Sequence, residues 1–347
     1  MNYRSLLLDS DVAIITSPAS LYYLSGFDQS DATIMITKDE AYYLTNPLYE
    51  IAVKTAVRSD LIVRIMNASE KCAFIRAQVS SARKVAVEYS DITLSQYHTF
   101  ALENKETVDI SPQISALRMI KAPEEIEIIC RAESIVDTAF AEVRPLLKEG
   151  VTELEIKEEL RRAMVCYGAA DTAFDTIVAF GDNAAMPHAV SSERKLKKGD
   201  CILMDFGAKV DGYMSDFTRT LFFGEPSVKF REAYDVVLRA QLAAISYIEE
   251  GGRSAREADK IARDIIDGSA FRGLFTHTLG HGVGIEIHEN PSLSKISRDT
   301  LSDGMVFTIE PGVYLEGEFG IRIESLCVIN NGKLTVLDRS DKENYTV

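Results

Sequence analysis

The sequence predicts two domains: a small α/β domain over residues 1–117, then a larger α+β domain with an internal duplication over 118–347. Three observations carry this. At 347 residues the chain is longer than one typical core organises. Its first hundred or so residues alternate short β-type runs with helical ones. Further on, Leu196-Lys197-Lys198-Gly199-Asp200-Cys201-Ile202-Leu203-Met204-Asp205-Phe206-Gly207 aligns with Leu301-Ser302-Asp303-Gly304-Met305-Val306-Phe307-Thr308-Ile309-Glu310-Pro311-Gly312, at a constant offset of 105 residues. A period this long marks a doubled half-domain rather than a solenoid.

In the first domain, residues 12–15, 33–37, 41–44, 61–66 and 84–88 read as strands, and 47–57, 69–80 and 94–103 as helices. Lys38-Asp39-Glu40 joins two of the strands as a hairpin. No phosphate-cradling glycine loop and no nucleophile beside a base occurs here, so a non-catalytic role is expected. A boundary is expected near 112–122. Pro123, followed by Glu124 and Glu125, then opens a long amphipathic helix whose stripe runs through Ile126, Ile129, Val136, Phe140, Val143 and Leu147. Pro145 should bend or end it. Each half of the duplication begins with a capping box, Thr152 to Glu155 and Ser254 to Glu257, with Gly168 and Gly268 past the helix ends.

Composition excludes some functions. A net charge of −15 argues against nucleic acid or an anionic membrane as partner, since both need basic patches. Five cysteines without a CxxC pair fit reduced thiols. The Leu6-Leu7-Leu8 run is too short for a secretory signal, and no stretch approaches transmembrane length. The expected location is the cytoplasm.

Chemistry concentrates in the second domain, which holds four of the five histidines. Asp211-Gly212 is a strong two-residue hairpin signal. With that loop, Val210 faces Tyr213, Asp205 faces Thr218, and Asp216 sits opposite Gly207, on the face of Asp205. Gly207 is read as leaving space for Asp216. Two acids on one face among apolar neighbours need positive charge between them. A second hairpin, turning at Gly317, brings Glu324 opposite Glu310. Arg322 shares the Glu324 face and is read as orienting a liganding carboxylate. His277 and His281 are four apart, but Leu279, Gly280, Gly282 and Gly284 argue against a zinc-binding helix. Gly280-His281-Gly282 suggests instead a close backbone approach around one ligand histidine. Four carboxylates and a neutral imidazole sum to minus four, which two divalent ions neutralise. The oxygen-rich set suits Mn or Co, with Fe or Zn possible. Such ions lower the pKa of bound water from 15.7 toward about 7. This is the ligand set of a hydrolase.

The order Asp205, Asp216, His281, Glu310, Glu324, within DFG, SDFTRT, GHGVG, IEPG and GIRIE, resembles the pita-bread metallopeptidases (M24), and among them the Xaa-Pro peptidases, prolidase and aminopeptidase P. The motifs cover about residues 118–347, and the first domain is similar to the creatinase-type N-terminal domain these enzymes carry. The resemblance implies a pita-bread catalytic domain with two metal ions per subunit. Glu324 bridges them with one of the two aspartates, and which aspartate stays open. Glu310 shuttles the proton from the attacking water to the leaving amine. His288 hydrogen-bonds the scissile carbonyl, and His188 contacts the leaving-group side. His277 lines the pocket and Tyr213 supports the metal site. The implied substrates are small peptides with proline second. The implied assembly is a homodimer in which the N-terminal domain of one subunit closes its partner's cleft.

The chain departs from the family pattern at Ser292, where many prolidases carry an arginine that grips the dipeptide's carboxylate. This favours an aminopeptidase acting on longer peptides over a strict dipeptidase, with Arg298 the nearby cation in sequence. The rival readings are a non-proline-specific aminopeptidase such as methionine aminopeptidase, a creatinase-like hydrolase, and a non-catalytic pita-bread binding protein. Creatinase-like and binding members generally lack the full ligand set.

Overall fold

The computed structural model describes residues 3–347, which form two compact units divided between Arg118 and Met119. The first unit is one six-stranded mixed sheet. Its strands are β1 (Val12–Ile15), β2 (Thr33–Thr37), β3 (Ala41–Thr45), β4 (Ile62–Ile65), β5 (Lys84–Val87) and β6 (Glu106–Asp109), in the order β4-β3-β2-β1-β5-β6. β1 alternates its side chains between two cores: Ala13 and Ile15 join one cluster, Val12 and Ile14 the other. The helices are α1 (Pro18–Ser25), α2 (Glu50–Ala56), α3 (Ala68–Ser81), α4 (Leu94–Thr99) and α5 (Ser111–Met119). The turn at 38–40 forms as expected, with Thr37 N donating to Glu40 O at 2.8 Å.

Several expectations need correction here. The helix expected over 47–57 is a 3-10 turn at Pro47–Tyr49 followed by α2. The one expected over 94–103 stops at Thr99, because Ala101 turns left-handed at φ 58 and a 3-10 turn follows. The unit boundary between Arg118 and Met119 lies within the expected 112–122, but most of that stretch is the unexpected helix α5. Helix α1 went unread although its signals are local: Pro18 stands at its first turn, and Gly26 at φ 76 ends it.

The second unit opens with α6 (Pro123–Val143) and α7 (Glu153–Cys166). Pro145 does end α6, which passes into a 3-10 turn at Arg144–Leu146. The first half continues with β7 (Asp171–Thr172), β8 (Ile177–Phe180), β9 (Cys201–Phe206), β10 (Ala208–Val210), β11 (Tyr213–Met214) and β12 (Phe217–Phe222). Helices α8 (Val228–Glu249) and α9 (Ala255–Asp267) lead into the second half. Its strands are β13 (Gly280–Gly282), β14 (Glu289–Leu293), β15 (Val306–Ile309), β16 (Gly312–Leu315), β17 (Phe319–Arg322), β18 (Ser325–Asn330) and β19 (Lys333–Val336).

The duplication is visible in the sheets: β12-β9-β8 in one half, and β18-β15-β13 within β14-β13-β15-β18-β19 in the other. Strand alternation splits the core. Ile202, Met204 and Phe206 of β9 pack with α6 and α7, while Cys201 and Leu203 face the cluster built on α8 and α9. Asp205 continues the Cys201–Leu203 side. On α6, Ile129, Val136, Phe140 and Val143 are buried, each contributing about 1.5–3 kcal/mol by area removed from water. The capping box of Thr152 and Glu155 is complete, but in the second half only Ser254 caps, accepting from Glu257 N at 3.2 Å. All five cysteines are free thiols, and no helix among the described residues is long and apolar enough to cross a membrane.

Candidate metal centre

The first hairpin forms in the register its turn residues dictate. Asp211 and Gly212 both have positive φ, 44 and 79, as a type I′ turn requires. Val210 pairs with Tyr213 and Asp205 with Thr218. In the second hairpin Gly317 turns at φ 74 and Gly312 pairs with Arg322. Continuing that register by two residues sets Glu310 against Glu324.

These two ribbons meet. Asp205, Asp216 and Glu324 each offer a carboxylate oxygen, and the three atoms lie within 4.8 Å of one another. His281, on β13, brings Nε2 to 3.5 Å from Asp216 Oδ2 and 3.2 Å from Glu310 Oε1. Its Nδ1 lies 3.1 Å from Gly282 O, which fixes a proton there in the neutral ring and leaves the Nε2 lone pair toward the acids. The glycines beside it are required by close approach. A Cβ on Gly280 would lie 2.0 Å from Thr308 O, and one on Gly282 2.2 Å from Asn290 O.

Electrostatics show how strongly the cluster wants positive charge. Burial, then the charges of Glu324, Asp205 and Glu310, push Asp216 well above the usual carboxylate range. Burial, then Glu310 and Asp205, do the same to Glu324, and burial raises Asp205 against the pull of Arg322. Glu310 goes the other way: burial opposes it, but the His281 hydrogen bond and neighbouring positive groups bring it down to about 2. Correspondingly, His281 is raised by Glu310 against burial. Asp205 Oδ1 and Glu324 Oε1 are buried with no hydrogen-bond partner. Buried, unpartnered oxygens on crowded acids, facing an imidazole lone pair, fit divalent cations and little else.

Arg322 ties this cluster to its surroundings. Its Nη2 bonds Asp205 Oδ2, Nε donates to Thr218 Oγ1 at 3.2 Å, and Nη1 donates to Tyr314 OH at 2.7 Å. Thr218 Oγ1 in turn donates to Glu324 Oε2 at 2.6 Å. A guanidinium only donates, so the Tyr314 hydroxyl accepts from it and gives its own proton to His277 Nε2, 2.9 Å away. His277 then keeps its proton on Nδ1, 2.8 Å from Thr278 O. Burial holds this imidazole below its usual pKa.

A cleft of about 430 Å³ opens over the acids, lined also by His188, His277 and His288. The His288 ring lies 4.4 Å from that of His281, centroid to centroid, and burial followed by the charge of His281 lowers its pKa. Two expectations fail. Tyr213 points away: its hydroxyl bonds Glu125 of α6, because Tyr213 and Val210 lie on the ribbon face opposite to Asp205 and Asp216. Gly207 does not make room for Asp216. A Cβ there would strike Ser215 O at 2.0 Å and crowd Ala173 and Phe174. Arg298 is not among the cleft-lining residues. Thr218 lies opposite Asp205 as expected, but its bond to Glu324 was not anticipated, nor were Phe174 and Ile177 in the cleft, which come from a segment distant in sequence. Tyr314 was not anticipated although it lies diagonal to Arg322, on the same face of the hairpin that Gly317 turns.

A duplicated half-domain whose two hairpins pool four acids, with a histidine from β13, over an open cleft defines a metal-dependent hydrolase. Comparison with known proteins agrees. Residues 127–331 match the metallopeptidase family M24 and residues 8–120 the creatinase/prolidase N-terminal domain. The chain belongs to metallopeptidase family M24. It is 35% identical to the Xaa-Pro dipeptidase of Pyrococcus furiosus over 96% of this chain and 94% of the relative. The structure of an Xaa-Pro dipeptidase from Bacillus anthracis superposes with a TM-score of 0.93 at 34% identity, covering 99% of this chain and 97% of that one. An X-Pro aminopeptidase from Thermotoga maritima gives 0.88 at 33%, covering 99% of both.

Proposed function

We propose that this chain hydrolyses the peptide bond between an N-terminal residue and proline, using two divalent ions held by Asp205, Asp216, His281, Glu310 and Glu324. The observation that carries the reading is the convergence of these five side chains, from both hairpins and from β13, beneath a histidine-lined cleft. Charge favours two ions. Arg322 offsets one of the four carboxylates, which leaves three negative charges, more than one divalent ion neutralises. The donor chemistry, mostly oxygen with one nitrogen, favours Mn or Co. Bound, such ions polarise the scissile carbonyl and make water nucleophilic at neutral pH.

The remaining roles belong to the chain itself. Glu310, whose Oε1 faces His281, takes the proton of the attacking water and delivers it to the leaving amine. His288, kept neutral by burial and its imidazole neighbours, donates to the carbonyl oxygen as negative charge develops there. His188 contacts the leaving-group side. Arg322, tethered by Tyr314 and Thr218, holds Asp205 in place, and His277 completes that tether. We assign the domains as 1–117 and 118–347.

The cleft favours longer peptides over dipeptides. Among the described residues lining it, Arg322 is the one guanidinium, it is spent on Asp205, and no lysine is present. Ser292, paired with His281 on β14, is neutral. A cytoplasmic homodimer suits five free thiols and the family's architecture. The test is hydrolysis of Ala-Pro against Ala-Pro-Ala by metal-stripped protein reloaded with Mn or Co. Cleavage of the tripeptide in preference is expected. Silence on both with metal bound would overturn the substrate assignment.

A further inference from the structure

The segment that carries Pro187 and His188 into the cleft is long and, apart from one 3-10 turn at Gly181–Ala185, irregular. Such a segment needs an external brace to hold a side chain steady over a metal centre. The brace is a buried acid on another element. Glu153, at the first position of α7, is completely buried. Oε1 accepts from Phe180 N at 2.7 Å and Asn183 Nδ2 at 2.9 Å. Oε2 accepts from Ser192 N at 2.9 Å, Ser192 Oγ at 2.7 Å and Asn183 Nδ2 at 3.2 Å. One carboxyl group therefore gathers both ends of the 181–192 segment.

Helix capping does not explain this acid. Thr152 and Glu155 already complete the capping box of α7. The backbone N–H groups of Glu153 and Leu154 are also turned outward, donating to Arg194 O at 3.1 Å and Ser192 O at 3.2 Å. A carboxylate taken wholly out of water costs several kcal/mol unless its oxygens are fully hydrogen-bonded. Here every contact that satisfies it comes from residues 180, 183 and 192. The middle of the segment rests on β17, where Gly320 admits the Ala184 carbonyl: a Cβ there would lie 1.8 Å from that oxygen.

We propose that Glu153 is a positioning residue for His188, clamping both ends of the 181–192 segment so that the imidazole meets the leaving-group side of the peptide. This inference rests on the substrate contact assigned to His188 above. The second half holds its own cleft histidine differently. Asp259 of α9 accepts Leu279 N at 3.1 Å and pairs with Arg263, whose guanidinium donates to Phe275 O and His277 O at 2.8 Å each. That segment is an internal control.

The test uses the metal-loaded, full-length protein and the variant E153Q. The amide keeps the shape but must turn an NH2 toward a backbone N–H donor, freeing one end of the clamp. Hydrogen exchange should accelerate at 181–192 and not at 275–281. KM for Ala-Pro-Ala should rise about tenfold with a smaller change in kcat. Metal content and the visible spectrum of the Co-loaded protein should not move. In an H188A background, E153Q should add no further rise in KM, because the two residues act as one unit. Unchanged exchange at 181–192, or KM effects that add in the double variant, would overturn the inference. An H188A protein with wild-type KM would instead remove the substrate contact on which it rests, even with accelerated exchange in E153Q. If E153Q does not fold, the N183A/S192A variant removes three of the five contacts and must give the same pattern in weaker form.

Discussion

The two halves of the metal-binding unit use the same hairpin to different ends. Each places an acid at the end of a central strand, Asp205 after Met204 and Glu310 after Ile309, and a second acid on the returning arm. The neighbouring strand differs. In the first half β8 puts Ala179 beside Leu203. In the second, extending the Gly282–Phe307 pairing by one residue puts His281 beside Thr308, and Leu203 and Thr308 are 105 residues apart. The acids are duplicated and the imidazole is not. Ala179 is fully buried in the core shared with α8 and α9, so the first half spends this position on packing, and the second on an imidazole that faces Asp216 and Glu310. The site is asymmetric because one strand position took a different job.

The sharpest way to break this comparison is to disable the first half. Asp216→Asn should lower kcat/KM by well over the 10–100-fold that losing an outer partner costs. It should also raise the melting temperature of the metal-free protein, since a crowded buried charge is removed. A variant retaining near-normal turnover would leave the second half as a sufficient site. Next in size is His288→Ala, expected to cost about 10²–10³ in kcat as a lost donor to developing negative charge. Steady-state kinetics with metal content matched to wild type would check this.

The crowding can also be read through pH. Asp216 and Glu324 of the metal-free protein have pKa values above those of the unfolded chain, so between about pH 4.5 and their raised values the native state binds more protons than the unfolded one. Stability then falls as pH rises through that window. Glu310, down at about 2, is ionised throughout it in both states and does not oppose the trend. His277 and His288, held low by burial, oppose the trend below their unfolded value of about 6.5. Metal-free protein should therefore melt at a higher temperature at pH 7 than at pH 8.5, while metal-loaded protein should show the trend weakened or reversed. A metal-free melting temperature that climbs over that range would show that the acids are not in conflict. The smallest expected effect is at Ser292, which pairs with His281 across β13 and β14. Ser292→Arg should improve the Ala-Pro to Ala-Pro-Ala ratio by about tenfold, worth ~1.4 kcal/mol, measured by competition between the two peptides.

Much of this site was legible because hairpin register is a local property. Asp211-Gly212 and Gly317 fix their turns, alternation then assigns faces, and the acids fall where the pleat puts them. The same alternation contradicted the role given to Tyr213: paired with Val210, it lies on the other face of the ribbon from Asp205. Gly207 was misjudged because its neighbours, Ala173 and Phe174, come from a distant segment. Thr218 falls opposite Asp205 as that register requires, but its bond to Glu324 joins the two hairpins and is not local. Tyr314 was missed although it lies diagonal to Arg322 on one hairpin face; its other partner, His277, comes from a distant segment. Glu153 was hidden by its position, since an acid in the first turn of a helix is ordinarily explained by the helix alone. In the first unit the sheet was largely readable from β-branched runs, whereas the helix α5 beside the boundary was not read as one, and α1 was passed over despite its proline start and glycine stop.

The most direct test of the account is a metal-binding stoichiometry on stripped protein. Mn would be titrated into wild type, the first-half variant Asp216→Asn and the second-half variant Glu310→Gln, with bound metal counted after dialysis. Joint ligation predicts two ions per chain in wild type and the loss of at least one from each variant. Wild-type stoichiometry in either variant would contradict it, since the centre would then belong to one half alone.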